Sequence, residues 1–179
     1  VGQFTMHVLN PSKQSQHQRD AAEIDGKLKL QSLRGDFVKI LVETNTDGAA
    51  RGAIGQMLLQ LAPDSRAAAL VAVIGEPILA ENLRPKLGEA IAGRDAKKLD
   101  EALKLAVKEV PHRLQTTMAE ILAGDKDGIE SLLALVNSGN LSPQQLTSPN
   151  VSTKLQTAAS DEQKKKVADA TKTAHDGSN

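Results

Sequence analysis

From about residue 28 onward, the hydrophobic positions of this chain recur at a helical period. Leu30, Leu33, Phe37, Ile40 and Leu41 fall at i, i+3, i+7, i+10 and i+11, one face of a helix. Further stripes follow in order: Ile54, Met57, Leu58 and Leu61; Leu70, Val71 and Ile74; Leu79, Leu83, Leu87 and Ile91. The last three are Leu99, Leu103, Val107 and Val110; Leu114, Met118, Ile121 and Leu122; and Ile129, Leu132, Leu133 and Val136. Only Val1–Leu9, where Phe4, Met6 and Val8 alternate with Thr5 and His7, has the period of a strand. Asn10–Asp20 is polar apart from Pro11 and reads as a linker.

Turn and cap residues fall between the stripes. Asp47-Gly48, Pro63-Asp64 and Gly93-Arg94-Asp95 separate successive helices. Asn82 is an expected N-cap with Pro85 in the first turn, and Pro111 an expected first helical residue. Gly124 is expected to end its helix in a left-handed conformation, and Gly139 to end the next. Asp127 and Glu130 are spaced as a capping box, as are Ser142 and Gln145, and Ser160 and Gln163. Ser148-Pro149 starts another short turn, and the last helix runs to about Ala174.

The prediction is therefore an all-α chain of short antiparallel helices, about 10–16 residues each. Pairs of helices every 35–45 residues or so are the rhythm of a HEAT/armadillo-like superhelix. A compact helical bundle is the alternative. Residues 1–27 are expected to be an extended segment with a polar linker, 28–160 the helical repeat domain, and 161–179 a C-terminal helix and tail.

Composition narrows the function classes. The 179 residues carry 22 basic and 22 acidic side chains, no cysteine, tryptophan or tyrosine, and two phenylalanines. Without cysteine there is no disulfide framework, thiolate zinc site, cysteine nucleophile or covalently attached haem. Zero net charge and the scarcity of aromatics argue against nucleic acid as a partner. The longest nearly apolar run, Ala67–Gly75, is far short of the roughly 20 residues that cross a bilayer, so no direct membrane insertion is expected. The chain begins at Val1 with no basic-then-apolar leader, as expected of a processed product or a piece of something longer. The core is aliphatic, with many alanines that allow helices to approach closely.

Few chemistry-bearing patterns occur along the chain. Asp125-Lys126-Asp127-Gly128 imitates part of a calcium loop, but the first and twelfth positions would be Ala123 and Ala134, where carboxylates are needed. Asn45-Thr46-Asp47-Gly48 has Glu43 at the first position and Ile54 at the twelfth. Both read as helix-cap turns. His7, His17, His112 and His175 lack a second histidine at i+3 or i+4, the spacing that sets two imidazoles on one helix face. No G-x-S-x-G elbow, phosphate loop or dinucleotide fingerprint is present. Arg94–Glu109 reads as a solvated charged face, with Asp100 and Lys104 a favourable i,i+4 pair. Lys164-Lys165-Lys166 is flanked by acidic residues, and Asn150-Val151-Ser152 is a formal glycosylation sequon. No catalytic, cofactor-binding or metal-ligating residue is predicted.

One stretch carries a resemblance. Pro111–Leu155 has a Leu132-Leu133 helix, the Gly139 turn, Leu141, a Ser142-Pro143 start, Leu146, Val151 and Leu155. In this it resembles the helical segment of the planctomycete-type membrane-bound dehydrogenase or haem-binding domain proteins. The KKVADATKT tail from Lys165 is similar to the helix leading toward that family's cytochrome module. The resemblance implies a HEAT-like spacer and a bacterial periplasmic or cell-envelope location. The family's C-x-x-C-H haem site has no counterpart in a chain without cysteine, so no haem-binding residue carries over.

The expected function is a non-enzymatic helical-repeat scaffold or protein-interaction domain without a cofactor. Its partner would be another protein or an adjoining domain, docking at the N-terminal end of the helical stack. The alternative is a fragment of a periplasmic c-type cytochrome or dehydrogenase whose electron-transfer module lies outside this chain.

Overall fold

Each of the predicted stripes from Ile54 onward marks a helix or its immediate approach. The computed structural model describes residues 36–37, 39–43, 47–61 and 63–176. The chain divides into two units, residues 1–36 and 37–179, and the described residues belong almost entirely to the second. The expected strand Val1–Leu9, the linker, and Leu30 and Leu33 of the first stripe lie outside the described residues, as does the expected docking end before them. The described residues are all-α, with no strand among them.

Residues 36–37 and 39–42 are helical. They are followed by α1 (Gly48–Leu61), α2 (Ser65–Ile74), α3 (Arg84–Gly93), α4 (Ala96–Glu109), α5 (His112–Leu122) and α6 (Lys126–Asn137). A 3-10 turn (Pro143–Thr147) leads to α7 (Pro149–Ala158) and α8 (Asp161–Asp176).

The centre of the second unit is α2, which packs against α1, α3, α4, α5 and α6. Its sequence, SRAAALVAVI, explains this position. Beyond Arg66 every side chain is alanine, valine, leucine or isoleucine, so the helix has no polar face to offer to water and is buried on most sides. Its alanines let five neighbours come close. The core around it is one aliphatic cluster running from Leu41 to Ala159.

α8 is not a free tail. It packs on α6 and on the 3-10 turn, with Val167 and Ala170 against the core. The Ser160–Gln163 capping box forms as predicted: the Ser160 N–H donates to Gln163 Oε1 at 3.0 Å, and the Gln163 N–H donates to Ser160 Oγ at 3.3 Å.

Several predicted boundaries shift by one or two residues. α3 is preceded by Leu83, not Asn82, because 76–83 forms turns in which Leu79 and Leu83 are already buried. Pro111 is the N-cap of α5, with extended backbone, and helix begins at His112. α6 is capped by Asp125, whose carboxylate accepts from the Gly128 N–H at 2.8 Å, so Asp127 lies inside the first turn and caps nothing. Gly124 is not left-handed; the positive φ values among the described residues are at Arg94 (51°) and Gly139 (71°). The 6→1 bond that closes a helix is made after α6, where the Asn140 and Leu141 N–H groups both reach the Leu135 carbonyl.

Candidate functional site

Several of the polar side chains that enter the interior go to the ends of helices. A helix leaves its last four carbonyls without intrahelical partners, and short helices have many such ends for their length. Here neighbouring elements supply the donors. Arg51 Nη2 donates to the Glu43 carbonyl, just past the helical residues 39–42. Arg94 Nη2 donates to the Leu58 carbonyl in the last turn of α1. Arg84 Nη2 donates to the Glu76 carbonyl beyond α2 at 3.3 Å. Gln115 Nε2 reaches the carbonyls of Val107 (2.9 Å) and Val110 (3.3 Å) at the end of α4. Lys154 Nζ reaches the Glu120 carbonyl near the end of α5 at 2.9 Å. Cations are also favoured at these ends by the helix dipole.

Arg51 and Arg84 are buried, and their guanidinium groups feel one another. Burial lowers the pKa of Arg51, the Arg84 charge lowers it further, and Asp47 and Glu81 oppose both. The Arg84 Nε has no hydrogen-bond partner.

The sequence reading missed these residues, although a signal is present. Arg51 stands at i of an i, i+3, i+4, i+7 set with Ile54, Gly55 and Leu58, and Arg84 at i of one with Leu87, Gly88 and Ile91. An arginine on a buried stripe needs an acceptor inside.

A second polar group joins the starts of α2 and α6. Asp64 caps α2, accepting from the N–H groups of Arg66 (2.9 Å) and Ala67 (3.4 Å). Arg66 lies back on Asp64, with Nε–Oδ1 and Nη2–Oδ2 both at 3.3 Å, and reaches Asp127 Oδ2 at 3.7 Å. Burial works against its charge, but the hydrogen bond to Asp64 and the charges of Asp64, Asp100 and Asp127 outweigh it and raise its pKa. Ser131 Oγ donates toward Asp100 at 2.5 Å and lies 3.2 Å from the Asp127 carbonyl. Asp100 therefore turns inward to α6, and the expected surface pair with Lys104 does not form. Pro63, Asp64, Asp125, Lys126 and Asp127 line an open cleft of about 360 Å³ here. Its carboxylates are engaged as caps or by Arg66, which is the helix-cap reading of the calcium-loop imitation.

The remaining candidates are dispersed. His112 is exposed in the first turn of α5, and its Nε2 lies 2.8 Å from Gln145 Nε2. His7 and His17 lie outside the described residues. Among the described residues no group of three or more His, Asp or Glu side chains is arranged to hold a metal ion, and no helix is long and apolar enough to cross a membrane. Asn150 of the sequon is exposed and bonded to Glu120 Oε1 at 2.9 Å.

On the surface, α3 and α4 leave a groove of about 250 Å³ with an apolar floor and a charged rim. Leu105, at its edge, is 37% exposed. A third hollow of about 230 Å³, more apolar, lies between α7 and α8.

No protein-family model matches the chain, and neither a curated protein nor a solved structure matches it. These comparisons therefore add nothing to the likeness of Pro111–Leu155 to the dehydrogenase and cytochrome proteins.

Proposed function

We propose that this chain is a helical scaffold that works by binding other proteins through its surface, without catalysis of its own. The observation that carries this reading is the use made of the interior polar side chains. Arg51, Arg84, Arg94, Gln115 and Gln163 each donate to a backbone carbonyl that ends or begins a helix, which fixes helices relative to one another. Such a body presents a rigid surface, with a charged-rimmed groove between α3 and α4 and a more apolar hollow between α7 and α8. Rigid surfaces lose little conformational entropy when a partner docks. The periplasmic or envelope location implied by the family resemblance belongs to the same reading.

The test is the state of the chain in its native extract. Size-exclusion chromatography under non-denaturing conditions should place it in a complex that contains at least one other protein at fixed stoichiometry. Reconstitution from purified components should reproduce that complex. Elution with no other protein, together with turnover of a small substrate by the purified chain, overturns the reading. Fractionation of the source cells tests the location.

A further inference from the structure

We propose that the groove between α3 and α4 binds a second copy of this chain, through charges that complement themselves across a two-fold axis. The proposal deepens the interaction reading above and rests on it.

The groove follows from the sequence of its two walls. α3 and α4 are joined by Arg94 and Asp95 alone and pack against each other, so they run antiparallel as neighbours. Each wall carries a lysine followed by a glutamate one turn later: Lys86 and Glu89 on α3, Lys98 and Glu101 on α4. All four are exposed, and among the described residues none of them makes an ion pair within 4.0 Å. Between the walls lie Ala90 and Ala102, whose small side chains leave the hollow, and Leu105 stands exposed at its edge.

A two-fold axis crossing the groove at its middle reverses each helix against its own copy. Lys86 then meets the other copy's Glu89, and Lys98 the other copy's Glu101. One patch thus supplies both halves of every pair, which is the requirement of an isologous interface. A foreign surface would need the same alternation by separate selection, whereas a second copy has it by symmetry. Leu105, 37% exposed, supplies the apolar part that rim charges alone lack. Because the pairs are at the rim, association should weaken as salt screens them.

Sedimentation equilibrium of the purified full chain tests this. In low salt the average mass should rise with concentration from 19.0 kDa toward twice that value. It should return toward the single-chain mass in about 0.5 M salt, where screening reaches only a few ångströms. The double variant Lys86→Glu/Lys98→Glu has four acidic rims and should stay monomeric. Glu89→Lys/Glu101→Lys has four basic rims and should stay monomeric as well. Mixed in equal amounts, the two should pair. All four positions are exposed, and unchanged circular dichroism verifies that each variant folds. Wild type at 19.0 kDa at every concentration overturns the proposal, as does self-association unaffected by either double variant, or a mixture that does not pair. A monomeric wild type leaves the native-extract test of the wider reading untouched, so the two can fail separately.

Discussion

Replacing Gly128 by alanine should destabilise the protein, although alanine is the better helix former. Gly128 is the third residue of α6, where it packs against the start of α2 and the end of α5. A Cβ there would overlap Ser65 Oγ and the Leu122 carbonyl oxygen, well inside van der Waals contact. The unpaired Ser65 hydroxyl can turn aside about χ1, but the carbonyl is backbone in the last turn of a packed helix and does not move without its helix. Overpacking costs about 1–3 kcal/mol in cores, and a clash with packed backbone places the cost near the top, about 3 kcal/mol. Helix propensity returns about 1 kcal/mol. The net is a loss of about 2 kcal/mol, or about 4–8 °C in Tm for a chain of this size.

Gly52→Ala is the matched control. Gly52 lies within α1, and a Cβ there meets nothing within 4 Å. The same substitution should stabilise by about 0.5–1 kcal/mol. Urea titrations followed at 222 nm would compare the two variants, with equal slopes required before the midpoints are interpreted. If Gly128→Ala proves as stabilising as Gly52→Ala, the close contact of α6 with Ser65 and Leu122 is wrong.

Leu133, 2% exposed between Ile129 and Val136 in α6, should cost about 2–5 kcal/mol on truncation to alanine, read by the same titration. A change within about 0.5 kcal/mol would mean that the residue faces solvent. Gln163→Ala removes half of a capping box and the bonds from Nε2 to the Lys126 carbonyl (2.9 Å) and Glu130 Oε1 (3.0 Å). Hydrogen exchange should speed through α8 while α2 stays protected, and uniform exchange in both helices would refute the docking of α8. Arg66→Met leaves Asp64, Asp100 and Asp127 without their shared cation, and should cost about 1–2 kcal/mol, because Asp127 remains largely solvated. A change within about 0.5 kcal/mol in the same titration would mean that Arg66 does not hold these carboxylates together.

The helices were legible because their stripes and caps act locally. Ser160 and Gln163 lie three residues apart, and the box they form needs nothing from the rest of the chain. Asp127 with Glu130 has the same spacing and forms none, because Asp125 reaches the Gly128 N–H first and starts the helix two residues earlier. The rhythm of pairs predicts which helices are neighbours in sequence, but it does not place α2 against α1, α3, α4, α5 and α6. That role depends on how many faces of SRAAALVAVI can be covered at once, a property of the assembled core. Asp100 shows the same limit. Its spacing from Lys104 is local, while its partner Ser131 lies 31 residues away.

The central position of α2 also accounts for the buried polar residues of an otherwise aliphatic protein. Helices gathered around one short helix bring their ends inward, and each buried carbonyl there must find a donor or cost about 1–3 kcal/mol. An arginine or glutamine from the next element reaches it across a helix diameter, which a serine or threonine cannot. Arg51, Arg84 and Arg94 are long enough to do so while laying their aliphatic stems along the core. The orphaned Arg84 Nε follows from this use: a guanidinium has five donors, and Glu76 offers it a single carbonyl. Arg84 therefore brings into the core an Nε–H donor that the site leaves unsatisfied. Its replacement by methionine, which keeps the stem, trades that unsatisfied donor against the orphaned Glu76 carbonyl.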